Sequence, residues 1–188
     1  MNLKEQLTQY KPYNDREAVD QKEILRYLMT FDNLLTRENE QAHFTASAWV
    51  VNKKRTKVLM AYHNIYQSWS WVGGHTDGDT DLLHVAFKET QEETGLTNLT
   101  AISKEIYSIE ILEVPAHIKK DKPIAKHLHL NLTYLIEADE DELTSIKPDE
   151  NSGVEWKELD DAVMACSEAE MKVIYQKLNQ KLKRYAKK

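Results

Sequence analysis

The chain has 188 residues and a formal net charge of −6 at pH 7, which argues against a nucleic-acid polymer as its main partner. No apolar run approaches the length of a membrane span, and the first residues lack the charged-then-apolar pattern of a secretion signal, so we expect no membrane association. The single cysteine, Cys166, excludes an internal disulfide and favours a reducing, cytoplasmic location.

Residues 1–37 are predicted to form an N-terminal helical element. Apolar residues recur with helical period from Ile24 to Leu35, and Asn14 stands at a capping position before them. Packing of this element across the domain is the favoured interpretation, and a homodimer contact is the alternative.

Several stretches of the chain are predicted to be strands. Alternating and β-branched residues at 44–52 and 57–63 flank a polar turn, which predicts a hairpin. Residues 99–115 predict one long strand. In residues 126–137, leucines alternate with polar side chains, which predicts a strand with one apolar face and one ordered polar face. That polar face needs hydrogen-bond partners or a water-filled cleft.

The stretch from Gly73 to Leu96 predicts a glycine-containing loop that leads into a short helix. Asp79 or Thr80 is expected to be the N-cap, with Asp81 in the first turn, where the helix dipole favours negative charge. Gly95 is expected to end the helix in the left-handed conformation.

Three glutamates of this helix, Glu89, Glu92 and Glu93, are spaced so that their carboxylates project from one side. Each close pair repels by roughly 1 kcal/mol in water and by a few kcal/mol at an effective dielectric constant near 20. A bound divalent cation reverses this repulsion, and oxygen ligands suit Mg²⁺ or Mn²⁺. The alternative is an acidic helix face that is solvated and has no site.

The same stretch resembles the Nudix box: Gly, five residues, Glu, seven residues, Arg-Glu-aliphatic-any-Glu-Glu-any-Gly-aliphatic. The residues that match it are Gly74, Glu89, Glu92, Glu93, Gly95 and Leu96. Three positions depart from it: Thr80 replaces the first Glu, Lys88 the Arg and Thr90 an aliphatic residue. Lysine keeps the charge of arginine but lacks its bidentate fork, so the ion pair that orients the loop is expected to be looser or moved.

The resemblance implies an α/β fold, a Nudix-type α/β/α sandwich with a mixed β-sheet and extra N- and C-terminal helices. We expect one domain over residues 1–188, with the Nudix core at 40–165 and a C-terminal helix at 167–188. The resemblance also implies that Glu89, Glu92 and Glu93, with the Gly74 carbonyl, hold Mg²⁺ or Mn²⁺. A carboxylate outside the box often completes such sites, and Glu150 is the candidate, ahead of Asp149 and Glu155.

Five residues are candidates for substrate binding: Trp69, Trp71, His75, His127 and His129. The tryptophans precede the double glycine and could stack on a base, although core packing is the competing interpretation. His127 and His129 share a strand face and are expected to contact substrate or to line a hydrogen-bonded cleft. Zinc is a less favoured interpretation of this pair, because the sequence shows no cysteine or close third ligand beside it.

These features predict a Mg²⁺-dependent hydrolase that cleaves a diphosphate linkage in a nucleoside diphosphate joined to another group. The first alternative is a non-catalytic Nudix domain that binds a nucleotide-type ligand as a sensor. The second is an enzyme like isopentenyl-diphosphate isomerase, suggested by the segment at 43–51 and by His75 after the double glycine. That chemistry needs an early cysteine, whereas Cys166 lies late in the chain.

Overall fold

A mixed β-sheet lies between two layers of helices in the computed structural model, which describes residues 1–119 and 122–185. The helices are α1 (Leu3–Gln9), α2 (Asp15–Thr30), α3 (Leu82–Thr94), α4 (Leu159–Ala165) and α5 (Ala169–Leu182), followed by a 3₁₀ turn at Lys183–Tyr185. The strands are β1 (Ala42–Asn52), β2 (Lys57–His63), β3 (Ser68–Ser70), β4 (Val72–His75), β5 (Leu99–Ala101), β6 (Ser108–Val114), β7 (His117–Lys119), β8 (Lys122–Ile124), β9 (His127–Ala138) and β10 (Asn151–Glu158). In the described part of the chain, no helix is both long and apolar enough to cross a membrane.

The sheet is built around β1 and β9, which pair in parallel from Ala42 opposite Leu128 to Asn52 opposite Ala138. The main strand order is β10-β2-β1-β9-β5, and β3, β4 and β6 pair with β2, β1 and β9 respectively. These other pairings are antiparallel, so the predicted mixed sheet is confirmed. Strands β7 and β8 form a separate two-stranded sheet.

Side chains along β1 and β9 point alternately to the two faces of the sheet, which divides the core into two clusters. The first core cluster joins one sheet face to α1, α2 and α3 and includes Leu7, Ile24, Phe44, Ala46, Leu82, Val85, Leu130 and Leu132. The second core cluster joins the other face to α4 and α5 and includes Trp49, Val51, Leu135, Val163, Tyr175 and Leu178. Apolar side chains on both faces of a sheet require a covering layer on each side. The predicted α/β/α sandwich with terminal helices is therefore confirmed.

Several predicted boundaries were wrong. Residues 99–115 form two strands, because β5 pairs near the end of β9, with Thr100 opposite Glu137, whereas β6 pairs further back, with Ile109 opposite Leu132. The last helix begins at Ala169 rather than Ser167, since the Ser167 N–H donates to the Ser68 hydroxyl oxygen at 2.9 Å. This helix ends at Leu182, and residues 186–188 of the predicted element lie outside the described residues.

The N- and C-terminal helices are joined by a buried ion-pair cluster. Glu17 of α2 is fully buried, and its Oε1 lies 2.9 Å from the Lys181 ammonium and 3.0 Å from that of Lys177, both on α5. The Tyr10 hydroxyl donates to the other carboxylate oxygen of Glu17, Oε2, at 2.6 Å. Burial alone would raise the pKa of Glu17, but Lys181 and Lys177 lower this pKa to about 2.

Replacement of Glu17 by alanine should strongly destabilise the fold, because it removes the carboxylate that the buried Lys181 ammonium pairs with, while Lys177 keeps its pair with Glu110. We expect the free energy of unfolding, measured by urea denaturation at pH 7, to fall by roughly 3–5 kcal/mol. Because the folded pKa of Glu17 lies below its ordinary value of 4.5, this contribution is present above that pH and is lost as the pH falls towards 2.

Glu23→Ala is the matched control on the same helix. Glu23 forms a partly exposed pair with Arg26 at 2.7 Å, and loss of such a pair changes stability by about 1 kcal/mol or less. Equal destabilisation by the two alanine variants would contradict a special role for the buried cluster.

Candidate active site

Helix α3 is positioned by its caps and by its apolar stripe. It begins after Asp81, whose carboxylate accepts from the His84 N–H at 3.1 Å, and it ends at Gly95, which has a φ of 73°. The predicted N-cap at Asp79 or Thr80 was therefore wrong, since Asp79 instead accepts from the Asp81 N–H at 2.8 Å. The predicted left-handed end at Gly95 is confirmed.

Two of the box glutamates lie against the double glycine of β4. Glu93 is buried, and its Oε1 accepts a hydrogen bond of 2.8 Å from the Gly73 N–H. The Glu89 carboxylate lies over Gly74, where an added Cβ would come within 2.8 Å of all three heavy atoms of that carboxylate. Glycine at position 74 thus leaves the space that the Glu89 side chain occupies.

Glu150 joins these two carboxylates from the loop before β10. Among the described residues, Glu89, Glu93 and Glu150 each offer a carboxylate oxygen, and these atoms all lie within 4.8 Å of one another. Lys147 holds Glu150 through an ion pair of 3.0 Å. The other sequence candidate in this region, Glu155, pairs with Lys157 on β10 at 2.8 Å.

The third box glutamate, Glu92, is placed differently from the prediction. Its half-exposed side chain lies 3.2 Å from Lys147 and 3.8 Å from Lys88. We call the group of Glu89, Glu93 and Glu150 the acidic cluster. Glu92 borders this cluster and does not belong to it. A role for Glu92 as a metal ligand stays a prediction.

The acidic cluster has the electrostatic character of a site that needs a cation. Burial, followed by the charges of Glu150 and Glu89, raises the pKa of Glu93 to about 8. Burial and the charge of Glu92 also raise the pKa of Glu89. Burial alone would lower the pKa of Lys147, but its hydrogen bonds to Glu150 and Glu92 raise it. Without a cation, the buried carboxyl of Glu93 holds a proton at neutral pH.

The loop before α3 is held by residues that the sequence motif did not indicate. Arg37 forms a two-pronged pair with Asp77, with N–O distances of 2.8 and 2.7 Å. Lys88, which replaces the consensus arginine, lies 3.8 Å from Glu89 and reaches no closer. Lys88 thus pairs within its own helix, and Arg37 supplies a bidentate contact from the N-terminal side of the loop.

The two candidate tryptophans lie against the second core cluster, on the sheet face opposite α3. The Trp71 ring lies 5.6 Å from that of Tyr175, and the Trp69 ring lies 5.5 Å from that of Tyr62. The Lys157 ammonium lies 3.8 Å from the centre of the Trp69 ring. The structure does not bring these tryptophans together with the acidic cluster, and substrate binding by them stays a prediction.

The three candidate histidines lie together with a fourth, His43, that sequence reasoning missed. Ring centres are 5.1 Å apart for His43 and His75, 5.1 Å for His43 and His129, and 4.9 Å for His43 and His127. Burial lowers the pKa of His43, so this ring is neutral at pH 7. The sequence feature that could have indicated His43 is the alternation of side chains along β1, which places it on the same face as Thr45 and Ser47.

The polar face of β9 continues from the histidines as a buried hydrogen-bond network, as its alternation predicted. The Asn131 carbonyl oxygen accepts from Ser47 at 2.8 Å and from Thr45 at 3.0 Å. The Asn131 amide nitrogen donates to Glu110 at 3.2 Å. Cys166 lies outside this network, buried in the second core cluster with its sulfur 3.6 Å from the Ser68 hydroxyl.

Three solved structures share this fold. The C. elegans Ap4A hydrolase binary complex is 22% identical, with a TM-score of 0.55 and coverage of 76% of this chain and 96% of that chain. The M. smegmatis Nudix hydrolase RenU is 17% identical, with a TM-score of 0.54 and coverage of 73% and 84%. The MutT protein of Methanosarcina mazei Go1 is 15% identical, with a TM-score of 0.54 and coverage of 77% and 98%. At these identities the likeness establishes the fold alone.

The family is established by a direct match. No curated protein matches the chain. The family model described as NUDIX domain matches residues 41–178, which include β1 to α4, the whole box and most of α5. Because this match covers well over half of the sequence, the chain belongs to the Nudix family and is an enzyme of the Nudix pyrophosphohydrolase type.

Proposed function

We propose that this protein is a Mg²⁺-dependent hydrolase that cleaves the diphosphate linkage of a nucleoside diphosphate joined to another group. The observation that carries the proposal is the acidic cluster, in which three carboxylate oxygens lie within 4.8 Å of one another and Glu93 is buried. Carboxylate oxygens are the ligands that Mg²⁺ and Mn²⁺ prefer. A cation of this kind would replace the proton that the Glu93 carboxyl otherwise retains.

Each residue of the site has a proposed role. Glu89 and Glu93 hold the cation, with the Gly74 carbonyl beside them, and Glu92 becomes a further ligand by turning from Lys147 and Lys88. When bound, Mg²⁺ lowers the pKa of a coordinated water and offsets the charge of the diphosphate oxygens. The hydrogen bond from Gly73 keeps the Glu93 carboxylate oriented towards the cluster.

Glu150 is the proposed general base. Its half-exposed carboxylate lies within the acidic cluster and is held by Lys147 at 3.0 Å, so it can reach a water at the edge of the site. It takes the proton of that water, the water oxygen bonds to one phosphorus, and the bridging P–O bond breaks. The leaving phosphate oxygen departs with the bond electrons. Glu89 is the alternative base.

The substrate class is a small nucleotide-like diphosphate. Lys147 and Lys88 border the acidic cluster and can pair with phosphate oxygens once a cation has neutralised the carboxylates. The lysines of the stretch 117–126 are a second candidate for such contacts, although Lys120 and the side chains of Lys119 and Lys122 lie outside the described residues. Trp69 and Trp71 remain candidates for contact with a flat group.

A panel of diphosphate-containing nucleotides, incubated with Mg²⁺, tests this function. The panel includes nucleoside diphosphate sugars, ADP-ribose, nucleoside triphosphates and Ap4A, the compound after which the C. elegans hydrolase is named. Release of a nucleoside monophosphate together with a phosphorylated product is the expected result. Tight binding without turnover would instead favour a sensor domain. Isomerisation of isopentenyl diphosphate, tested in parallel, would favour the isomerase, although the burial of Cys166 in the second core cluster argues against it.

Glu93→Gln should lower turnover by about two orders of magnitude or more while the protein stays folded, because the amide removes a charged ligand and keeps the side-chain shape. Glu92→Gln should also lower turnover, and this variant tests whether Glu92 turns towards the cation. Steady-state kinetics on the best substrate of the panel, with circular dichroism as the folding check, measures both effects.

Glu155→Gln is the matched control, since Glu155 is an exposed carboxylate that pairs with Lys157 outside the acidic cluster. It should keep wild-type turnover. Wild-type rates in Glu93→Gln, or an equal loss in Glu155→Gln, would remove the acidic cluster from the mechanism.

Cation affinity should rise with pH, because the pKa of Glu93 is raised to about 8 by burial and by the charges of Glu150 and Glu89. Binding of a cation needs the deprotonated carboxylate. We expect the Mn²⁺ association constant, measured by electron paramagnetic resonance, to increase about tenfold per pH unit from about pH 6 towards pH 8 and then to level off. The slope should flatten in Glu93→Gln, and an unchanged slope in that variant would contradict this assignment.

A further inference from the structure

Four imidazole rings meet on the sheet face opposite the acidic cluster. Among the described residues, His43, His75 and His129 each offer a ring nitrogen, and these nitrogens all lie within 4.8 Å of one another. His127 stands beside them, with its Nε2 3.3 Å from Nε2 of His129. We call these four residues the histidine cluster.

The strand register produces this cluster. His43 of β1 lies opposite His129 of β9, and Thr45, two residues along β1, lies opposite His75 of β4. Residues two apart on a strand share a face, so all these side chains point to the same side of the sheet. Three neighbouring strands thus contribute imidazoles to one place, although the residues are far apart in the chain.

His43 has a nitrogen with no partner. Its Nδ1 lies 3.0 Å from the Asn39 carbonyl oxygen, and a carbonyl only accepts, so Nδ1 carries the proton. Nε2 is then a bare acceptor. This atom is buried and has no hydrogen-bond partner within residues 1–119 and 122–185, while the whole residue is 5% exposed. Buried acceptors are normally satisfied, so an orphan lone pair beside two other imidazoles indicates a missing ligand.

His127 is oriented in the same way. Its Nδ1 donates to the Ala125 carbonyl oxygen at 2.9 Å, and its Nε2 faces His129. Backbone carbonyls hold metal-binding histidines in this manner in many proteins. A tetrahedral zinc site with Zn–N bonds of about 2.05 Å places its ligand nitrogens about 3.3 Å apart. The His127–His129 spacing already has that value.

We propose that the histidine cluster binds a divalent d-block cation, with His43, His75 and His129 as its ligands and His127 next to His129 at the edge of the site. Imidazole nitrogens suit Zn²⁺ and its neighbours and are poor ligands for Mg²⁺, so this site and the acidic cluster select different metals. His75 and His129 are partly exposed, which leaves the cluster open to solvent on one side, and His127 lines a surface cavity of about 490 Å³. Under this proposal the histidines hold a metal ion, and direct contact of His75, His127 and His129 with substrate stays a prediction.

Metal titration of the metal-stripped full chain tests the proposal. Excess Mg²⁺ is kept present to occupy the acidic cluster, and Zn²⁺ binding is followed by calorimetry. One Zn²⁺ per chain is the expected stoichiometry. Co²⁺, added in place of Zn²⁺, should give the intense visible absorption of a tetrahedral site. Absence of saturable Zn²⁺ binding in the wild-type protein would overturn the proposal.

Variants locate the ion. His129→Gln and His75→Gln should weaken Zn²⁺ binding by more than about 100-fold, since loss of even an outer partner of a ligand costs 10–100-fold. His75 is at the partly exposed side of the cluster, so its variant tests the site even where a buried substitution impairs folding. His84→Gln is the matched control, because His84 is exposed and bonded to Asp79 on α3.

Glu93→Gln separates the two metal sites. It should leave Zn²⁺ affinity and the Co²⁺ spectrum unchanged, since this carboxylate belongs to the other face of the sheet. Loss of Zn²⁺ binding in Glu93→Gln with retention in His129→Gln and His75→Gln would place the ion at the acidic cluster and overturn the proposal. If His84→Gln weakened Zn²⁺ binding as much as His129→Gln and His75→Gln do, the proposal would also be overturned.

Discussion

The parallel pairing of β1 with β9 is the constraint on which both candidate sites depend. Each residue of β1 from Ala42 to Asn52 has a fixed partner on β9, and the two strands alternate in phase. A slip of one residue would turn every side chain to the opposite face. Apolar packing on both faces opposes such a slip, because Phe44 and Trp49 belong to different core clusters. The register therefore sets the positions of the polar residues as well.

The acidic cluster shows how a buried charge is made tolerable. Helix α3 packs by its apolar stripe, which places Glu89 and Glu93 over a strand segment that lacks side chains. A backbone N–H faces Glu93, and Lys147 lies among the surrounding carboxylates. These contacts offset only part of the cost of burial, as the raised pKa of Glu93 shows. The remaining cost is the electrostatic reason for this cluster to attract a cation.

Oxygen and nitrogen donors are segregated to the two faces of the same sheet. Gly74 meets Glu89 on the face that α3 covers, while the adjacent residue, His75, points to the other face beside His43. A short strand thus supplies both sites from consecutive positions, since neighbouring residues of a strand alternate. The hydrogen-bond network around Asn131 separates the histidines from the apolar core of that face.

The sequence by itself determined what depends on local periodicity: the helix that carries Glu89 and Glu93, its end at Gly95, the hairpin, and the two faces of β9. It also indicated Glu150 as a candidate, through family resemblance. Only the tertiary structure decided that Glu150 meets Glu89 and Glu93 while Glu92 turns to lysines, and that His43 joins the other histidines. Periodicity sets which way a side chain points within its own element, whereas the meeting of distant residues depends on strand register and on the packing of helices against the sheet.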